Sequence, residues 1–287
     1  MTDGFAAVIE IARASRSPME RAASALDRDR YKIFCATYAS MRVIDDFVDD
    51  DFLAKPVDAR TVERASAKAT VEAWRTASTA ALSCGKAPAV GDPFYLTNGA
   101  LAETRALAVM DTGPWDRLAD AMQRDVAEPK MIDWSDFLDY AEGATAAPAA
   151  VFIEILSLQA GADGRLVSQL EGPAVERIRN SAILLYLVHI MRDLAEDAAK
   201  GAMMLTLPES LFAEMGITGA GFAASAPTDS ELVQSVRGRI ADYAERFLLP
   251  ALAELTMLDA ALDPADAAIL RGLCEPYIER YEKFQTT

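Results

Sequence analysis

A chain of 287 residues, 52% of them apolar, can enclose a sizeable core, which excludes an intrinsically disordered polypeptide. Its formal net charge of −16, from 44 acidic against 28 basic residues, excludes sequence-independent nucleic-acid binding, which needs a basic surface to neutralise phosphates. A polyanionic substrate would need metal ions or a local basic cluster, and three scattered cysteines (Cys35, Cys84, Cys274) offer neither a disulfide framework nor a zinc spacing, so a reducing cytoplasm is the expected setting.

The first residues, Met1-Thr2-Asp3-Gly4-Phe5, lack the basic, apolar and cleavage-site segments of a secretory signal. Residues 31–52 read as a helix that is apolar nearly all round (Ile33, Phe34, Cys35, Tyr38, Met41, Val43, Ile44, Phe47, Val48), a pattern of burial on most sides. Helical spacing returns over residues 61–82 and, after the Gly- and Pro-containing stretch at 85–93, over residues 101–110. Gly161-Ala162-Asp163-Gly164 marks the next break. The longest apolar run, residues 182–191, is about half of the roughly 20 residues that a spanning helix needs, and predicts a buried core helix. Turn residues at 216–229 precede a last helical pattern at 233–255. Sustained period-2 alternation and Asn-Gly hairpin signals are missing, so the predicted fold class is all-α. With no polar linker and no fixed-period repeat, one helical domain over residues 1–287 is expected.

Into the first buried helix the sequence inserts Asp45, Asp46, Asp49, Asp50 and Asp51. Asp45 and Asp49 are four apart, as are Asp46 and Asp50, so each pair shares a helix face with a rise of about 6 Å. Like charges at that spacing repel unless a cation lies between them. The helix at 182–191 meets the same difficulty, since His189, Asp193 and Asp197 follow four and four on one stripe. An acidic run by itself is commonly a solvated face or compensation for a helix start. Two runs that each interrupt an apolar helix, where uncompensated carboxylates are costly, point instead to metal binding. Hard Mg²⁺ prefers oxygen ligands, keeps several waters and is completed by phosphate groups, so facing carboxylate stripes point to a diphosphate site.

In order and spacing, Tyr38-x-x-x-Arg42-x-x-Asp45-Asp46-x-x-Asp49-Asp50 resembles the first aspartate-rich motif of the squalene and phytoene synthases, the head-to-head trans-isoprenyl diphosphate synthases. His189-Ile190-Met191-Arg192-Asp193-Leu194-Ala195-Glu196-Asp197 resembles the family's second motif, Asn-Ile-Leu-Arg-Asp-x-x-Glu-Asp. Leu207-Pro208-Glu209 with Gly216 falls where its proline-containing segment stands, and Asp125, the stretch Trp134 to Tyr140 and Gly143 resemble its middle helices. The likeness spans residues 12–250.

This resemblance implies a class I isoprenoid synthase helical bundle with a central active-site cavity. There, an allylic diphosphate ionises with Mg²⁺ assistance and couples head-to-head with a second prenyl diphosphate. Farnesyl diphosphate would give presqualene diphosphate and squalene, and geranylgeranyl diphosphate would give phytoene. NADPH, the reductant of squalene synthases, stays open as a cofactor because the family binds it without a GxGxxG fingerprint. Residue by residue, the resemblance implies that Asp45, Asp49, Asp193 and Asp197 hold Mg²⁺, with Asp46, Asp125 and His189 completing the set. Tyr38, Arg42, Arg192, Ser15 and Ser17 fall where the family contacts diphosphate. Gly143 counts among the substrate-binding positions with Ala144 and Pro148, and the small residues Ala144, Thr145, Ala146, Ala147, Pro148 and Ala149 would line a dry channel or pack closely between helices. A greasy product also implies peripheral membrane contact, although no basic amphipathic helix stands out.

Departures from the family pattern bear on the second half of that reaction. His189, the single histidine, replaces an Asn that supplies an oxygen ligand, and imidazole is the poorer partner for Mg²⁺. A lone histidine in an apolar helix is also commonly a satisfied core residue. Tyr186 stands where Gln is usual, and Gly201-Ala202-Met203-Met204 replaces a Gly-Arg-x-Tyr run tied to diphosphate binding and catalysis. Two alternatives follow: a class I terpene synthase that ionises one prenyl diphosphate, and a non-catalytic relative acting in assembly, against which the retained aspartates argue. A di-iron bundle needs more than one histidine.

Overall fold

Side-chain caps set where several helices begin in the computed structural model, which describes residues 3–285. Ser17 accepts from Glu20 N to start α2 (Pro18–Ala23), after α1 (Asp3–Ala14). Asp27 accepts from Asp29 N and Arg30 N to start α3 (Arg28–Asp46). Then come α4 (Val57–Cys84), α5 (Tyr95–Thr104), α6 (Gly113–Ala127) and α7 (Trp134–Ala141), the last opened by a capping box between Asp133 and Asp136. α8 (Ala147–Leu156) and the long α9 (Ala174–Lys200) are followed by the short α10 (Glu209–Glu214) and α11 (Gly219–Ser225). The long α12 (Ser230–Ala261), capped by Asp229, and α13 (Pro264–Gln285) complete the fold. The all-α expectation is met, and the helical patterns at 61–82, 182–191 and 233–255 fall inside α4, α9 and α12.

Three local differences have physical causes. The helix expected over 31–52 is α-helical only to Asp46 and continues as a π-helical segment, Phe47–Leu53, where the backbone bonds i to i+5 and each turn holds an extra residue. A second π-helical segment, Glu142–Ala146, joins α7 to α8. The pattern at 101–110 spans two environments: α5 ends at Thr104, and Ala108 then forms an isolated bridge to Leu166. Leu166 itself belongs to a small antiparallel hairpin, β1 (Leu158–Ala160) with β2 (Leu166–Ser168), which turns around Gly164 at φ 82°. Strands of three residues are too short to show alternation.

Two apolar clusters fill the interior. In the first, α1, α3, α4, α5, α6 and α8 bury Trp74, Trp115, Phe34, Phe52, Ile33 and Ile44. In the second, α7, α9 and α12 bury Phe137, Leu184, Leu187, Val236 and Ile240 against Tyr281 of α13. Each such side chain contributes about 1.5–3 kcal/mol relative to exposure.

Polar groups inside these clusters fix helix rotation. Ser40 of α3 donates to Asn98 Oδ1 at 2.9 Å, while the indoles of Trp74 and Trp115 donate to Ser40 O and Ser40 Oγ at 2.8 and 3.3 Å. α3 is thereby pinned to α4, α5 and α6, with Arg42 and Asp45 on another face. Buried Glu254 of α12 accepts from Asn180 N, Ser181 N and Ser181 Oγ at 3.0, 2.8 and 2.9 Å, which ties α12 to α9. Among the described residues no helix is long and apolar enough to cross a membrane.

Candidate active site

Between α2, α3, α8, α9 and α13 lies a cavity of about 390 Å³. Along α3 its lining runs from Phe34 and Thr37 through Tyr38 and Met41 to Arg42 and Asp45, and along α9 from Ile178 and Ala182 through Leu185 and Tyr186 to His189. Both helices thus pass from apolar to polar and charged lining towards their C-terminal ends. Phe152 of α8 meets Phe34 edge-on at 5.9 Å, and Phe34 stacks on Tyr38 at 5.4 Å, giving the apolar part an aromatic wall. From α13 come Leu270, Leu273, Cys274 and Tyr277, at the 3–4 residue spacing of one helix face.

The first aspartate motif is electrostatically crowded. Burial pushes the Asp45 carboxyl up, Asp46 and Asp50 add to the push, and Arg42 opposes it from 3.4 Å. Arg42 is shared with Asp46, whose Oδ1 lies 2.5 Å from its Nη2. Asp49 reaches the surface, yet the protein around it withholds hydration, and with Asp45 and Asp50 beside it the carboxyl rises to about 7. Asp125 of α6 joins the same set. Burial raises it to about 7 against the hydrogen bond from Tyr140 OH at 2.9 Å, with Asp49 and Asp45 raising it further. Burial first pushes the Tyr186 phenol up against a hydrogen bond with Thr206, and Asp125, Asp45 and Asp49 each add to the push. Asp50 and Asp51 are exposed.

The second motif is compensated by its own neighbours. Arg192 grips Asp193 with two bonds of 2.6 Å, Nε to Oδ1 and Nη2 to Oδ2, and this holds the Asp193 carboxyl below its usual range. Arg192 Nη2 also lies 2.8 Å from His189 Nδ1. Arginine has no acceptor, so Nδ1 accepts and the ring proton sits on Nε2, 3.4 Å from Asp193 Oδ2. Burial and the adjacent Arg192 push the His189 pKa down against Asp193 and Asp197, which favours the neutral ring. Asp197 lies 3.5 Å from Lys200, which pairs with Glu196 at 2.9 Å.

Among the described residues no three His, Cys, Asp or Glu side chains converge closely enough to hold a metal ion unaided. Asp45, Asp49 and Asp125 nevertheless fit a hard divalent cation completed by water and phosphate oxygens: they are oxygen donors whose mutual repulsion Arg42, acting on Asp45 and Asp49, and Arg124, acting on Asp125, only partly offset. His189 does not fit as a ligand in this arrangement, because its lone-pair nitrogen is occupied by Arg192.

The remaining expected residues divide. Ser17, Ala144 and Pro148 line the cavity, as do Thr145 and Ala149. Ser15 does not; its hydroxyl donates to Ala12 O at 2.6 Å and accepts from Ser17 N at 3.3 Å, shaping the turn before α2. Gly143 faces α6 rather than the cavity, where a Cβ would lie 2.3 Å from Arg117 O and 2.9 Å from Ala121 Cβ. Ala146 and Ala147 are fully buried, so the small-residue run serves both lining and packing. Tyr277 escaped the sequence reading. Its phenol lies within reach of Arg192, and the Leu270, Leu273, Cys274, Tyr277 spacing is the signal that could have found it. The segment replacing Gly-Arg-x-Tyr forms a 3₁₀ turn, Ala202–Met204, with Met203 exposed.

The squalene/phytoene synthase family model matches residues 12–283, reaching past α12 to include most of α13. A dehydrosqualene synthase solved in complex with a ligand superposes with a TM-score of 0.69 at 17% identity, covering 96% of this chain and 84% of that one. The squalene synthase HpnC from Alicyclobacillus acidocaldarius superposes with a TM-score of 0.71 at 18% identity, covering 99% and 93%. At such identities the likeness shows the isoprenoid synthase helical fold. No curated protein sequence matches significantly.

Proposed function

The chain belongs to the squalene/phytoene synthase family, and from that premise we propose that it is a Mg²⁺-dependent prenyltransferase. It ionises an allylic prenyl diphosphate and joins the cation head-to-head to a second one, farnesyl or geranylgeranyl, yielding presqualene diphosphate and squalene, or phytoene. The observation that supports this best is a cavity with an apolar body whose polar lining comes from both aspartate motifs, Asp45 from the first and His189 from the second.

On this reading Asp45, Asp49 and Asp125 hold metal from one side, and Asp193 and Asp197 from the other. Mg²⁺, when bound, neutralises the pyrophosphate leaving group. Arg42, Tyr38 and Ser17 meet the diphosphate, and Arg192 keeps a further positive charge beside His189 and Asp193. Phe34, Phe152, Met41 and Leu185 exclude water from the carbocation, and the aromatic faces of Phe34 and Phe152 stabilise it.

A second reading, a class I terpene synthase acting on one prenyl diphosphate, is favoured by the 3₁₀ turn at Ala202–Met204, which carries no arginine or tyrosine. Incubation with Mg²⁺ and C15 or C20 diphosphate, with and without NADPH, followed by mass spectrometry, separates the two. Coupling predicts products with twice the carbon count, and NADPH alters them only if reduction follows. Products derived from one prenyl unit would replace the coupling reading with the second. A non-catalytic assembly role would show in calorimetry as no binding of a prenyl thiodiphosphate in the presence of Mg²⁺.

A further inference from the structure

The two segments that carry Asp49 and Asp125 end at one joint outside the cavity. At the end of the π-helical segment Phe52 O takes Lys55 N at 3.1 Å, while Leu53 O and, two residues past the segment, Lys55 O accept from Arg60 Nη1 at 3.0 and 2.7 Å. Arg60 Nε forms an ion pair with Glu128 Oε1, while the other carboxylate oxygen of Glu128 takes Arg64 Nη2 at 3.0 Å. Arg64 also donates to Val126 O. Glu128 caps the end of α6, three residues beyond Asp125, and Arg60 and Arg64 lie four apart on one face of α4. α4 therefore acts as a splint between the end of the π-helical segment and the end of α6.

Glu128 occupies its place at some expense. It adopts left-handed backbone angles, φ 52° and ψ 44°, a region that residues other than Gly or Asn rarely adopt because Cβ crowds the following carbonyl. The Arg60 and Glu128 side chains are only 9% and 12% exposed, so removing either leaves a poorly solvated charge. Other contacts between α4 and α6 lack this link to the π-helical segment. Arg75 pairs with Asp120 at 2.5 Å, for example, on the more exposed side of the two helices.

We propose that Arg60 and Glu128 are positioning residues that hold Asp49 and Asp125 in register, so that the geometry of the first metal-holding side is set by a joint on α4. This rests on reading Asp45, Asp49 and Asp125 as holders of a divalent cation. Partners that orient ligands from behind typically change metal affinity by about 10–100-fold when removed.

The test uses the full chain with Mn²⁺ as an electron-paramagnetic probe and inorganic pyrophosphate present, beside thermal unfolding of each variant. Glu128→Gln should weaken Mn²⁺ binding about tenfold and raise the metal concentration needed for pyrophosphate release by the same factor, with kcat at saturating metal largely recovered. Arg60→Lys, able to cap the carbonyls or pair with Glu128 but not both, should fall between Glu128→Gln and the unaltered protein. Arg75→Gln should leave Mn²⁺ affinity unchanged. Lowered unfolding temperatures with unaltered Mn²⁺ affinity in Glu128→Gln and Arg60→Lys would make the joint purely structural and overturn the inference. Absence of Mn²⁺ binding in the unaltered protein would overturn the metal reading itself, and the inference with it.

Discussion

On α3, the π-helical segment after it and α6, Asp45, Asp49 and Asp125 repel one another, with Arg42 set against the first two and Arg124 against the third, and Asp49 and Asp125 are lifted to about 7. On α9, Asp193 is gripped by Arg192 and lowered, and Asp197 lies beside Lys200. The same residue type at similar spacing is therefore strained on one side of the cavity and satisfied on the other. Repulsion left standing among crowded carboxylates is relieved by a divalent cation, whereas a bidentate Arg–Asp pair must be loosened before Asp193 can serve as a ligand. The first side should govern metal affinity, and the second should respond to the diphosphate.

The largest expected effect is at Asp45. Asp45→Asn should lower turnover at least about 10³-fold with the fold intact by circular dichroism, since on the proposed reading it removes a carboxylate at the cavity wall that would hold the cation offsetting leaving-group charge. Asp193→Asn should cost about 10²-fold and leave metal binding without diphosphate nearly unchanged; full activity in this variant would remove the second side from the site. Gly143→Ala should destabilise by about 2 kcal/mol, because the added methyl meets the backbone of α6 and forces the second π-helical segment away. An unchanged unfolding temperature would show that this approach is loose.

The smallest effect is one of pH. The pKa of Asp49 and Asp125 is raised, so protons compete with metal as pH falls through about 7, whereas the lowered Asp193 stays ionised over that range. Mg²⁺ affinity in the presence of pyrophosphate should rise about tenfold from pH 6 to pH 8 and level off above. Asp49→Asn should flatten that profile; the same slope in this variant would assign the titration elsewhere.

Periodicity alone made part of this site legible. Tyr38, Arg42 and Asp45 fall at turn-to-turn spacing, and both apolar helices that carry the motifs are present. The conversion to π-helix at Phe47 was not legible, since it depends on packing against α4 and α6 rather than on local propensity. Nor was the packing role of Gly143, which exists only through Arg117 and Ala121 of another helix. His189 shared a stripe with Asp193 and Asp197 as the spacing required, but the stripe could not reveal that Arg192 would occupy its ring nitrogen. The β1–β2 hairpin and Tyr277 lay below the pattern for different reasons: the strands are three residues long, and the cavity-facing residues of α13 are interspersed with charged ones.

The central claim is that this cavity ionises an allylic prenyl diphosphate with a divalent cation held first by the crowded carboxylates. Pyrophosphate release from C15 diphosphate, followed across a Mg²⁺ titration in the unaltered protein and in Asp45→Asn, tests it most directly. Release should saturate with Mg²⁺, stop on chelation and be lost in Asp45→Asn. Release that is independent of metal, or unaffected by Asp45→Asn, would contradict it.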